Sequence, residues 1–132
     1  MNDLIKKEDE INKYISKYNS IVDLPKPLGR LIFLLETTVA GTTYISDIDR
    51  IIDSMNIWDR LILYREPENS NDKHAIRIET INREKIGYIP RQNNVIISRL
   101  MYAGKEIVGE LIEMELRGNW FRIIFAIFLK ES

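Results

Sequence analysis

Apolar positions in residues 1–20 recur at three- and four-residue steps. Leu4, Ile5, Ile11, Tyr14, Ile15 and Tyr18 share one face, which predicts an amphipathic helix. Asn2 or Asp3 is the candidate cap, and Asp9 precedes Lys13 at a supportive four-residue spacing. The polar face mixes signs, so packing on the domain or on a second copy is favoured over a membrane surface. Asp23-Leu24-Pro25-Lys26-Pro27-Leu28-Gly29 follows as a connector: its prolines bias it to extended conformation and Gly29 permits a turn. The expected organisation is therefore a helix and connector over 1–29 and a compact domain over 30–132.

From Arg30 the pattern changes. Leu31-Ile32-Phe33-Leu34-Leu35 and Thr37-Thr38-Val39 predict a long strand reaching Thr43. Ser46 to Met55 returns to helical spacing through Ile48, Ile51, Ile52 and Met55, with Ser46 and Asp49 placed as a capping box. Strands are expected at Arg60–Glu66, Ala75–Ile81 and Lys85–Ile89, the last two joined across Asn82-Arg83-Glu84. Asn93 to Ala103 is helical in pattern, with Gly104 as its C-terminal cap. Glu106–Arg117 and Trp120–Lys130 predict a closing hairpin around Gly118-Asn119. The fold class is α+β, mainly β. About six strands form a small antiparallel, partly closed barrel with two embedded helices, plus the N-terminal helix. Closure would also shield the apolar strand edges.

Composition narrows the function classes. Hydrophobic residues are 45% and charged residues 30% of the 132, which argues for a folded chain over a disordered one. Lys+Arg 19 against Asp+Glu 20 excludes a polybasic binder that works by bulk charge. The near-neutral total hides a bipolar distribution. Residues 60–105 hold 9 Lys/Arg and 5 Asp/Glu, 9 − 5 = +4, and residues 36–59 hold 1 and 5, 1 − 5 = −4. The basic stretch suits a few phosphates. The acidic stretch around Asp47, Asp49 and Asp53 should point elsewhere. Cysteine is absent and histidine occurs once, so no disulfide framework, thiolate metal site or His-rich metal centre is encoded. No apolar run approaches the ~20 residues of a membrane helix, and the first residues lack the apolar block of a signal peptide. A soluble, cytoplasmic protein without cofactor is expected.

Three segments concentrate the uncommon residues. They are Val39-Ala40-Gly41-Thr42-Thr43-Tyr44, the loop Arg65-Glu66-Pro67-Glu68-Asn69-Ser70-Asn71-Asp72 running into Lys73-His74-Ala75-Ile76, and Ile86-Gly87-Tyr88-Ile89-Pro90-Arg91. Asn69 and Asp72 suit turn formation through side-chain acceptors. Asp72, as an ionised acceptor, also suits a sugar hydroxyl. Gly41 allows a ligand close to backbone, beside a tyrosine that is either core or a stacking face for a base. Tyr88 and Arg91 sit at a strand-to-helix junction, where backbone N–H groups and a forked guanidinium suit phosphate. Lys73 and Arg77 flank the loop and could add to the same field. Arg65 is equally placed to pair with Asp72 or Glu66. His74 reads as a solvated loop histidine, and Glu79 as a solvent-facing strand residue.

Together these segments resemble the HIRAN domain family, from about Leu31 to Ile127. The shared pattern is an early Gly with a nearby Tyr, then Arg-Glu-Pro-x-Asn-x-x-Asp-x-x-Ala-Ile, then Ile-Gly-Tyr-Ile-Pro-Arg. The resemblance implies an OB-like or SH3-like barrel. Such domains are found both as free-standing bacterial proteins and at the N-terminus of helicase-like DNA remodellers. It also implies binding of single-stranded DNA, notably its 3′ end, in repair or stalled replication. The implied nucleic-acid-binding residues are Thr43, Tyr44, Asn71, Asp72, Lys73, Tyr88, Arg91 and Phe121. Thr43 stands where helicase-linked members often carry a basic residue, and Asn71 where they carry an aromatic. A phosphate clamp and a stacking face are thereby in question; Trp120 or Phe121 is a candidate replacement, with one of the two expected in the core. The expected partners are single-stranded DNA or DNA ends and a separately encoded helicase-like protein, with homo-oligomerisation through the N-terminal helix. No P-loop and no paired nucleophile and base is present, so a non-catalytic module is expected. The alternative is a protein-interaction or regulatory module that keeps the barrel without binding DNA ends. A nuclease is the least supported reading, with Asp72 and Glu79 the least poor carboxylate pair.

Overall fold

The computed structural model describes residues 30–131. The expected N-terminal helix, and any self-association through it, lies outside the described residues. Residues 33–129 form one compact unit, described here; the first residues of the first strand and the last of the sixth fall in a second unit.

Six strands carry the architecture: β1 (Arg30–Thr38), β2 (Arg60–Arg65), β3 (Ile76–Glu79), β4 (Lys85–Tyr88), β5 (Glu106–Arg117) and β6 (Trp120–Glu131). The helices are α1 (Ile48–Asp53) and α2 (Arg91–Tyr102), with a short 3-10 turn at Thr42–Tyr44. Sheet order is β1-β6-β5-β2-β3-β4. β2 pairs antiparallel with both β3 and β5, and β3 pairs antiparallel with β4. The segment after β1 then returns to the far edge. Ala40 and Tyr88 exchange two backbone hydrogen bonds of 2.8 and 2.9 Å, while the Val39 N–H donates to the Ile123 carbonyl at 2.8 Å. The sheet is thus an antiparallel half-barrel, curled so that one short bridge links the segment after β1 to β4.

The core follows the alternation of the strands. Leu61 and Leu63 of β2 point inward with Ile76, Ile78, Ile86, Leu111, Ile123, Phe125 and Ile127. Each such side chain contributes roughly 1.5–3 kcal/mol of burial. In β6 the alternation fails: Ile123 through Phe128 are all buried, because the outward face is covered too, with Phe128 set edge-on to Phe33 at 5.6 Å. α2 begins two residues before its expected start, at Arg91, because Pro90 serves as its cap residue and accepts from the Asn93 and Asn94 N–H groups. It ends as expected at Gly104. There Gly104 N–H meets the Met101 carbonyl and Lys105 N–H the Leu100 carbonyl, the double hydrogen bond of a left-handed glycine cap.

Other expectations fail for local reasons. β1 stops at Thr38, because Gly41 turns left-handed (φ 80°) and Thr42 tucks inward to donate its hydroxyl to the Phe121 carbonyl. The capping box at Ser46 does not form: Asp47 is the cap residue, at φ 63°, and no side chain caps the turn. Glu79 is 4% exposed, not solvent-facing. Its side chain keeps the outward face, opposite Ile62 and beside Arg77, and is buried there because the Arg77 and Arg83 side chains close over it. The Glu79 carboxylate lies within ion-pair distance of Arg77 and Arg83, at 2.7 and 2.9 Å, without aligned hydrogen bonds.

Candidate functional site

The Asp72 loop is built from inside. The Asn69 side-chain oxygen accepts the Asn71 and Asp72 N–H groups at 2.9 and 3.1 Å, and its amide donates to Glu66 at 2.9 Å. Asx geometry of this kind fixes a turn without regular secondary structure. Asp72 is then held on both oxygens. Asn94 of α2 donates to Oδ2 at 2.8 Å, and the His74 N–H donates to Oδ1 at 2.8 Å. The Arg91 guanidinium stands 3.7 Å from Oδ2 and also donates to the Asn71 carbonyl. The Asn94 and His74 hydrogen bonds hold the Asp72 carboxyl below its ordinary range; burial opposes this and the Arg91 charge assists. Asp72 is therefore an anchored anion at neutral pH, with a lone pair spare on each oxygen.

Tyr88 is anchored as firmly. Its hydroxyl donates to Glu66 and accepts from Lys85, each at 2.9 Å, and the Lys85 ammonium sits 4.4 Å from the ring centre. Burial raises the Glu66 carboxyl, yet hydrogen bonds from Asn69 and Tyr88 with the Arg77 and Lys85 charges outweigh it and leave Glu66 below its usual range. Tyr44 differs from both. It ends the 3-10 turn with its side chain 89% exposed, so it is not a core tyrosine.

A cavity of about 360 Å³ joins these segments. Ala40, Gly41, Tyr44, Asn71, Asp72, Tyr88, Arg91 and Asn94 are in its wall. The topology accounts for the convergence: the Ala40–Tyr88 bridge brings the segment after β1 to the β4 edge, and Asn94 ties the loop to α2. Three of the expected residues lie elsewhere. Thr43 is exposed on the turn but does not line the cavity. Lys73 faces a neighbouring cavity. Phe121 is half-buried against the core, while Trp120 is exposed. Nor does Arg77 add to a free positive field, because Glu66 and Glu79 neutralise it and it stacks 4.6 Å over Tyr64. Arg65 pairs with neither Asp72 nor Glu66; its guanidinium lies 5.1 Å over Tyr102. Asn94 is the wall residue that sequence reasoning missed. It is a polar residue at a buried helical position, and that mismatch was the available signal.

The family model of the HIRAN domain matches residues 32–132. The chain belongs to the HIRAN domain family. Solved structures agree with this fold. A protein from Lactobacillus plantarum superposes with a TM-score of 0.72 at 25% identity, covering 77% of this chain and 97% of that one. The crystal structure of the human HLTF HIRAN domain gives 0.61 at 20% identity, covering 79% and 81%. The same human domain in its DNA-bound conformation, determined by NMR, gives 0.55 at 18% identity, covering 77% and 80%. No curated protein matches the chain by sequence. Among the described residues of this HIRAN domain, no cluster of three or more His, Cys, Asp or Glu could hold a metal, and no helix is long and apolar enough to cross a membrane.

Proposed function

We propose that this HIRAN domain is a non-catalytic nucleic-acid-binding module that takes the 3′ end of single-stranded DNA into the cavity between Tyr44 and Asp72. The observation that carries the reading is the convergence of Tyr44, Asn71, Asp72, Tyr88 and Arg91 on one concavity. Each has a fitting task. The anchored Asp72 carboxylate accepts from the terminal sugar hydroxyl. The open ring of Tyr44 stacks on the last base. Arg91 and the first-turn N–H groups of α2 attract the adjoining phosphate. The DNA-bound conformation of the human HLTF domain supports this reading. Thr43, Lys73 and Phe121 take no part in the terminal contact. The module would serve DNA repair or replication, with any motor supplied by a separate chain.

Fluorescence anisotropy with 5′-labelled oligonucleotides tests the reading. A free 3′-hydroxyl should bind at least about tenfold more tightly than a 3′-phosphate, because a second anion would face Asp72. Tyr44→Ala should weaken the 3′-hydroxyl ligand by roughly 1–3 kcal/mol, the value of one base stack. Its melting temperature should not change, since the ring is exposed. Equal weak binding to both ends, unaltered in Tyr44→Ala, would leave the protein-interaction alternative standing in its place.

A further inference from the structure

A second cavity, of about 450 Å³, lies on the other side of the same loop. Asn71 and Asp72 line the first cavity, and Lys73 and His74 line the second. Asn94 and Ser98, one helical turn apart on α2, divide between them in the same way. The wall of the second cavity carries Arg65, Lys73 and Arg99 and no carboxylate. Several cations elsewhere on this unit have close carboxylate partners: Arg77 and Arg83 share Glu79, and Arg50 pairs with Glu84. Lys73 and Arg99 have no acidic partner among the described residues. The buried Nε of Arg65 has no hydrogen-bond partner at all. Three positive charges around one concavity repel one another until an anion enters. The wall also holds an aromatic platform: Tyr102 is 79% exposed, with the Arg65 guanidinium 5.1 Å from its ring centre.

We infer that this cavity is a second nucleic-acid subsite, taking a backbone phosphodiester of the strand whose end fills the first cavity, with the neighbouring base on Tyr102. The inference rests on the end-binding reading above. A fork of guanidinium donors suits a phosphate, and an exposed ring backed by a cation suits any base, so this contact adds affinity without sequence preference. It also supplies a phosphate clamp apart from position 43, where this chain has a threonine.

The experiment uses the full chain, the double variant Arg99→Gln/Tyr102→Ala, and 3′-hydroxyl oligonucleotides of three and ten nucleotides. The ten-mer is expected to bind the parent chain about tenfold more tightly than the trimer. The double variant is expected to lose most of that gain, to lower the slope of log affinity against log salt by about 0.7, and to bind the trimer unchanged. An intact length gain in the double variant would overturn the inference. Inorganic phosphate is the second arm: if it perturbs the His74 and Tyr102 NMR signals while trimer and ten-mer bind alike, the cavity serves a free phosphate and the strand subsite is refuted. If the trimer fails to bind but ten-mer affinity still depends on Arg99 and Tyr102, the end-binding reading fails and the second subsite stands.

Discussion

Replacing Gly87 with alanine is expected to destabilise the domain by about 3 kcal/mol or more, lowering its melting temperature by roughly 12–24 °C. Gly87 pairs with Ile78 in the β3–β4 ladder and directly precedes Tyr88, whose backbone closes on Ala40. A Cβ at Gly87 would fall inside contact distance of the Ala40 carbonyl oxygen and Val39 Cγ1. The oxygen is backbone and already engaged by the Tyr88 N–H, so it cannot yield. The backbone at Gly87 (φ 154°) is moreover one that L side chains rarely adopt. The collision therefore falls on the bridge that forms the cavity, and DNA binding should be lost with stability. Gly109→Ala is the comparator. There a Cβ would meet the Leu61 and Phe125 side chains at 3.3 and 3.4 Å, contacts that small shifts relieve. Thermal melts of the two variants that coincide would contradict this account of the closure.

The second large effect is at Asp72. Asp72→Asn preserves shape and removes the charge. The proposed hydrogen bond to a terminal hydroxyl loses its ionised acceptor, at a cost of about 1.5–3 kcal/mol, or roughly 10–100-fold in affinity. The loop suffers too. Both Asp72 oxygens accept protein N–H groups, so the new amide nitrogen must face either Asn94 or His74, donor against donor. That should cost about 1–3 kcal/mol of stability. The pH dependence separates the parent from the variant. A carboxyl whose folded pKa is depressed contributes stability above the unfolded value, about 3.9 for aspartate, and loses it as pH falls through the folded one. The parent chain should thus lose stability below about pH 4, with Glu66 contributing to the same acid limb. Asp72→Asn should show a shallower decline there. Parallel acid profiles would mean that the anchoring of Asp72 is energetically silent.

These residues also show what could be learned before any coordinates. The alternation of Leu61 and Leu63, the Gly118-Asn119 turn and the Gly104 cap are local signals, and the strands and helix they mark form where expected. Tyr44, Asn71, Asp72, Tyr88 and Arg91 of the cavity wall were nameable because they sit in short motifs, whereas Asn94 was not. What stayed hidden is non-local. The reason Gly87 must be glycine lies in Ala40, 47 positions away (87 − 40), through a bridge no period reveals. Glu79 keeps the outward face that the alternation gives it, yet it is buried because Arg77 and Arg83 close over it. Lys73 and Asp72 are neighbours in sequence yet serve different cavities, and Arg77, counted as free positive charge, is spent on Glu66 and Glu79. Net charge by segment therefore overstated the field around the loop and missed the unpaired cations behind it.

The central claim is that segments around Tyr44, Asp72 and Tyr88 form one receptor for a strand terminus. Its most direct measurement is an NMR titration of the isotopically labelled full chain with a 3′-hydroxyl trinucleotide, following backbone amides. The account predicts shifts gathered at residues 40–44, 69–75 and 88–94, and their collapse when the same trinucleotide carries a 3′-phosphate. Shifts centred instead on α1 and its exposed acidic residues, or the same shifts with either terminus, would contradict it.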